Sequence, residues 1–203
     1  MNETIEYYNR NAETYYEDTV HADMKYAYDR FLFFLPKEGR ILDFGCGSGR
    51  DAAYFASKGY IVDAVDASAE MVRLAQEKTG VHASVMRFDQ LDAVNAYEGI
   101  WACASLLHCT MDELRDLLPR MARAVRLEGI FYASFKYGDF EGMRNGRWFT
   151  DLDVNRAASL ILPLEGCTLL DCWISHDVRR QRREERWLNV IVRRVAPLKD
   201  DTK

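Results

Sequence analysis

The sequence predicts an α/β fold: a mostly parallel sheet of seven strands with helices on both faces and an antiparallel hairpin at its C-terminal end. Three observations predict it. Short apolar runs alternate with helix-patterned segments, the first run feeds a glycine-rich turn, and the last two runs lie too close together to be joined by a crossover helix.

The elements follow in order. Residues 5–16 and 22–35 carry helical patterning ahead of the sheet. RILDFG (residues 40–45), YIVDAVD (60–66), HASVMRF (82–88), GIWACASLL (99–107) and GIFYASFK (129–136) read as the first five strands. Between them, residues 68–80 form a helix capped by Ser68 and stopped at Gly80, and residues 110–125 open with Thr110 and Glu113 at capping-box spacing. A polar segment, GDFEGMRNGRWFTDLD (138–153), precedes a helix expected to begin near Asp151. Residues 168–178 and 186–195, joined only by the arginine-rich RRQRREER, form the hairpin.

Composition narrows the class. At 203 residues and 48% hydrophobic, the chain is long enough for a full core and is expected to form a single domain over residues 1–203. No apolar run approaches the ~20 residues that span a bilayer, and the polar start lacks a signal-peptide core, so a soluble, cytoplasmic protein is expected. A net charge of −5 argues against a protein that coats nucleic acid through its whole surface. The five cysteines are scattered and never spaced as C-x-x-C, which predicts reduced thiols and no metal site.

The glycine loop is the informative motif. Gly45 and Gly47 begin a G-x-G-x-G pattern completed by Gly49, whereas a dinucleotide fingerprint would place its third glycine where Arg50 stands. Asp43 lies two residues before the loop. Its carboxylate would repel a pyrophosphate but suits a ligand bearing an ammonium and a sulfonium, which favours S-adenosylmethionine over NAD. Asp66, ending the second strand, is placed to accept from both ribose hydroxyls of either cofactor.

At these residues the chain resembles the class I S-adenosylmethionine-dependent methyltransferases. LDFGCGSG matches their first motif, VDAVDAS their acidic second strand, MRFDQL the segment after the third strand and IWACASLLHC the fourth strand. The likeness runs over essentially the whole chain and is nearest to the small stand-alone, tellurite-resistance-like type. It implies a Rossmann-like methyltransferase fold with an N-terminal helical lid (1–38), a cofactor-binding core (39–136) and a substrate-side segment with the hairpin (137–203). The turn before the fifth strand reads LEGI where the family often has a proline-glycine pair.

The resemblance also implies roles. Asp43 and the loop Gly45, Cys46, Gly47 and Gly49 would hold the methionine part; Asp66 the ribose; Ala67, Ser68 and Met71 the ribose and adenine; Asp89, Gln90 and Leu91 the adenine edge. Ser105 and Leu106 would floor the methyl group, and Tyr15 would cover the cofactor from the lid, with Tyr7, Tyr8 and Tyr16 as packing or substrate wall. His108 follows the fourth strand with a pKa suited to a general base, so His108 and Tyr15 are the candidate catalytic residues. A cap or pocket-lining role for His108 is the alternative. His176 also ends a strand at this edge, while His21 and His82 read as surface residues.

Substrate residues have no shared motif. Lys136, Arg147 and Trp148 lie on the edge where such sheets bind ligands, and Arg179, Arg180, Arg182, Arg183 and Arg186 would rim it. From these, Lys136, Arg147, Trp148 and Arg182 are the candidates to dock an anionic small molecule, against the reading of the arginines as a solvated turn. The expected activity is in-line methyl transfer to a small acceptor by a monomer or homodimer. Transfer to RNA or another phosphate-bearing substrate, and a non-catalytic cofactor-binding module, are the competing readings.

Overall fold

Seven strands build the main sheet: β1 (Arg40–Phe44), β2 (Ile61–Asp66), β3 (Ala83–Val85), β4 (Tyr97–Ala102), β5 (Val125–Lys136), and, after a small separate pair, β6 (Glu141–Arg144) and β7 (Arg147–Thr150), the hairpin β8 (Cys167–His176) and β9 (Arg186–Arg194). Their order is β3-β2-β1-β4-β5-β9-β8. The first five are parallel, β9 is antiparallel to β5, and β8 is antiparallel to β9. The fold is that expected, including the terminal hairpin. The computed structural model describes residues 2–179 and 182–198, so Arg180 lies outside the described residues.

Strand order reverses between β1 and β4, where the chain winds to opposite sides of the sheet. The crevice beyond the carboxyl ends of those two strands is where such folds hold ligands. β1 and β4 are buried on both faces, which explains their nearly continuous apolar runs. On one face Leu114, Leu117, Leu118 and Met121 of α6 (Met111–Ala124) join Leu42, Ile100 and Phe131. On the other, Tyr28 and Phe31 of α3 (Lys25–Phe33) pack with Phe55, Trp101 and Tyr132. Each such side chain contributes about 1.5–3 kcal/mol when fully buried.

The capping signals act as read. Ser68 accepts from the Met71 N–H at the start of α5 (Ala69–Thr79), and Gly80 ends it with a left-handed φ of 73°. Thr110 and Glu113 form the reciprocal capping box.

Five expectations need correction. Residues 5–16 form parts of two helices, α1 (Asn2–Arg10) and α2 (Ala12–Thr19). The break falls at Asn11, whose side-chain N–H donates to the Tyr7 carbonyl and competes with the helix ladder. The third strand stops at Val85, and residues 88–90 coil into a 3-10 turn. The fourth stops at Ala102, and Leu106–His108 form a second 3-10 turn. The polar segment holds the β6–β7 hairpin, turned by Asn145 and Gly146 at φ 52° and 76°, while α7 (Val154–Ile161) is capped by Asp153 rather than starting near Asp151. Among the described residues no helix is long and apolar enough to cross a membrane.

Candidate active site

The glycine loop leaves β1 through three left-handed residues, Gly45, Gly47 and Gly49. At Gly45 a Cβ would stand 2.4 Å from the Ser105 Cβ, and at Gly49, the cap of α4 (Arg50–Ser57), 2.9 Å from the Ala75 Cβ of α5. The chain therefore packs backbone against β4's extension and against a helix, where any side chain would intrude. Gly45 and Cys46 both donate to the Val65 carbonyl, and Gly47 donates to Asp66 Oδ2 at 2.9 Å. With those N–H groups committed, Gly45 and Gly47 border the cavity without a side chain.

Beyond this loop lies a cavity of about 600 Å³, open solvent at its mouth included. Gly45, Gly47, Asp66, Ala67, Ser68 and Ser105 form its floor and side. Tyr8 of α1 and Tyr15 of α2 complete its lining. Asp66 Oδ1 also accepts from the Ser68 N–H at 2.8 Å, so one carboxylate ties the loop to the turn after β2 and still faces the cavity. Burial raises its pKa against the pull of these backbone donors.

Several expected cofactor residues stand off the wall. Cys46 is buried with Ala52, Ala64 and Val72, Leu106 lies in the main core, and Gly49 serves helix packing. Met71 packs with Ala12 and Leu74 beneath Tyr8, Tyr15 and Tyr16. Asp89 pairs with Arg87 at 2.8 Å, Gln90 accepts from the Arg87 N–H, and Leu91 is buried. The 3-10 turn brings Phe88 to the cavity in their place.

Asp43 lies deeper than the lining. Its Oδ2 is buried with no hydrogen-bond partner. Burial, reinforced by the Asp51 carboxylate and opposed by Arg50, raises its pKa well above the usual carboxylate range. A buried acid with one unsatisfied oxygen beside a glycine cradle, with a second acid on the cavity wall, suits a cationic adenosine ligand.

A second cavity adjoins the first. Tyr8, Tyr15, Ala104 and His108 line both and form the seam between them. Ala104 holds φ 52°, a strained conformation for a non-glycine residue, and its N–H is fixed by Ser134 Oγ at 2.8 Å. His108 Nδ1 lies 2.6 Å from the Trp148 carbonyl and Nε2 lies 2.8 Å from the Tyr8 hydroxyl. A carbonyl only accepts, so Nδ1 carries the proton; neutral Nε2 then accepts from the Tyr8 O–H. Burial, assisted by Arg147 and opposed by the Trp148 carbonyl, pushes the His108 pKa down to about 4.

The second cavity is basic. Lys136, Arg147, Arg179 and Arg182 face it with Asp177. Arg179 is held on Asp177 at 2.6 Å, and Lys136 sits between Asp177 and Glu185 with burial lowering its pKa to about 8. Arg147 has no carboxylate ion-pair partner among the described residues. Its Nη1 donates to Tyr8 Oη at 3.3 Å, its Nε is buried without a partner, and its guanidinium lies 4.4 Å from the Tyr7 ring centre and 5.1 Å from that of Phe149. Trp148 departs from expectation. Its indole N–H donates to Thr150 while its backbone serves Thr4 and His108, and its side chain lines neither cavity. Tyr8 as the hub had no signal beyond an aromatic-rich lid, and Ala104 had none.

Residues 41–129 match the profile of a methyltransferase domain. Over these residues the chain is similar to methyltransferases. Over 116 residues this chain is 29% identical to the putative methyltransferase YqeM of Bacillus subtilis, covering 52% of this chain and 47% of that one. Over 131 residues it is 28% identical to a malonyl-[acyl-carrier protein] O-methyltransferase of Salmonella typhimurium, covering 62% and 49%. The chain thus spans about half the length of the curated relatives it matches. Among solved structures, the 1,6-didemethyltoxoflavin-N1-methyltransferase of Burkholderia thailandensis, with its substrate and S-adenosylhomocysteine bound, superposes at a TM-score of 0.75. It is 23% identical and the match covers 96% of this chain and 87% of that one.

Proposed function

We propose that the protein transfers a methyl group from S-adenosylmethionine to a small anionic acceptor bound in the second cavity. The observation that carries the reading is Arg147: a guanidinium with no carboxylate partner and an orphaned Nε, at the wall shared by the basic cavity and the seam. A cation enclosed by aromatic rings is only partly hydrated, and an incoming carboxylate or phosphate pairs with it strongly.

S-adenosylmethionine supplies an activated methyl group on a sulfonium. Asp66 would hold the ribose hydroxyls, Asp43 would offset the positive charge of the methionine part from beneath the loop, and Tyr15 would close the cavity from above. Arg147, with Arg182 at the rim, would orient the acceptor toward the seam. The lid aromatics exclude water, and the gain comes from alignment rather than from a strong base.

The reading is tested by calorimetric titration with S-adenosylmethionine, S-adenosylhomocysteine and NAD, followed by assay of S-adenosylhomocysteine release with a panel of small carboxylates and phosphates. Binding of the first two ligands alone, with product release lost in Arg147→Gln but cofactor binding kept, is the expected result. Affinity for RNA that falls steeply with salt would favour a nucleic-acid acceptor instead. Cofactor binding with no acceptor turned over would favour the non-catalytic reading.

A further inference from the structure

The hydrogen bonds at the seam run in one direction. Arg147 can only donate, so Tyr8 Oη accepts from Nη1; the Trp148 carbonyl can only accept, so His108 donates from Nδ1 and must accept at Nε2. The Tyr8 proton is thereby committed to His108. What Tyr8 retains for a ligand is a lone pair on its oxygen, at a position lining both cavities.

A lone pair held in this way receives a group that carries hydrogen. Arg147 Nη1 and Tyr8 Oη are 3.3 Å apart, so an anion on the guanidinium and a donor on the hydroxyl oxygen belong to neighbouring atoms of one molecule. Tyr132, Phe149 and Trp187 supply flat apolar wall around it. We propose that the acceptor is a small acid with a hydroxyl or amino group one or two carbons from its carboxylate, and that Tyr8 is the catalytic residue that binds this nucleophile, with His108 as its positioning residue.

The proton balance follows from the same direction. As the nucleophile attacks the methyl carbon, its proton passes to Tyr8 Oη and the Tyr8 proton passes to His108 Nε2. The carbon–sulfur electron pair leaves with sulfur, neutralising the sulfonium, and the imidazolium returns the proton to solvent on product release. Burial is the main force against the imidazolium and the Arg147 charge adds to it; the acceptor's carboxylate on Arg147 offsets that second contribution.

This inference rests on the anion reading of Arg147 and is tested by binding alone. Protein saturated with S-adenosylhomocysteine is titrated calorimetrically with phenylacetate, benzoylformate and mandelate, acids of similar shape bearing no polar group, an acceptor and a donor beside the carboxylate. Mandelate should bind about fivefold more tightly than the other two, the worth of one hydrogen bond. In Tyr8→Phe that preference should vanish while phenylacetate is kept. In His108→Leu the freed Tyr8 proton should let benzoylformate gain on mandelate, a change that a merely structural histidine would not produce. Equal binding of mandelate and phenylacetate to the wild type, or a preference that survives Tyr8→Phe, overturns the proposal. Failure of all three acids to bind while S-adenosylhomocysteine does so would remove the Arg147 anion site, and the inference with it.

Discussion

Asp66 Oδ2 accepts the Gly47 N–H at 2.9 Å while its Oδ1 accepts the Ser68 N–H at 2.8 Å. One side chain thus joins the glycine loop to the turn after β2. An amide in its place would turn an NH2 group toward one of these donors. Asp66→Asn should therefore destabilise the fold nearly as much as Asp66→Ala, each by about 1–3 kcal/mol, because a buried N–H is left without an acceptor. Urea unfolding of the two variants checks this, and S-adenosylhomocysteine titration should show at least about tenfold weaker binding in both.

Gly45 and Gly59 both hold left-handed backbone, at φ 88° and 90°, but a Cβ at Gly45 meets Ser105 at 2.4 Å whereas one at Gly59 meets nothing within 4 Å. Gly59→Ala should cost only the backbone strain of about 1–2 kcal/mol and leave cofactor affinity unchanged. Gly45→Ala should exceed that cost and abolish detectable S-adenosylhomocysteine binding. Equal effects in the two variants would mean that the loop yields to the clash.

Buried His108 gives stability a pH dependence of known sign. Its pKa is pushed from the ordinary 6.5 to about 4, so between these values the unfolded chain binds more protons than the folded one. Stability should fall as pH drops from 6.5 and level off below 4, by about 3 kcal/mol in all. Other acids titrate in the same range, so the difference between wild type and His108→Gln in urea unfolding at pH 7, 5 and 4 isolates the imidazole. The variant should lack this component.

Asp51 anchors a buried network that no motif marked. It accepts from Trp101 Nε1 at 2.8 Å, from the Tyr28 hydroxyl and from the Arg50 guanidinium, and Arg50 in turn donates to the Thr19 carbonyl at the end of α2. Asp51→Ala would leave the Arg50 guanidinium, whose side chain is only 18% exposed, without its ion-pair partner, at about 3 kcal/mol. Loosening of Arg50 should also expose the C-terminal end of α2 to proteolysis near Thr19 before the rest of the chain.

The glycine spacing, the two acids and the alternation of apolar runs were readable because they depend on neighbours in the chain. A left-handed turn needs glycine at the turn itself, a helix needs its cap one turn from its first bonds, and a doubly buried strand needs an unbroken apolar run. Those local rules determined the sheet, the cofactor class and the positions of Gly45, Gly47 and Asp66. The Asn145–Gly146 turn is equally local, but the strands it joins are short and polar and carry no apolar alternation to mark them.

What the tertiary structure decided is which side chains meet. Phe88 rather than Asp89 reaches the cavity because a 3-10 turn resets the facing of that segment. Trp148 offers its carbonyl rather than its ring, and Tyr8 reaches His108 across 100 positions of sequence. The direction of that hydrogen-bond chain depends on every group at the seam at once. A residue's own sequence neighbourhood carries no record of it, since the lone pair left to a ligand depends on which distant partners have already taken the others.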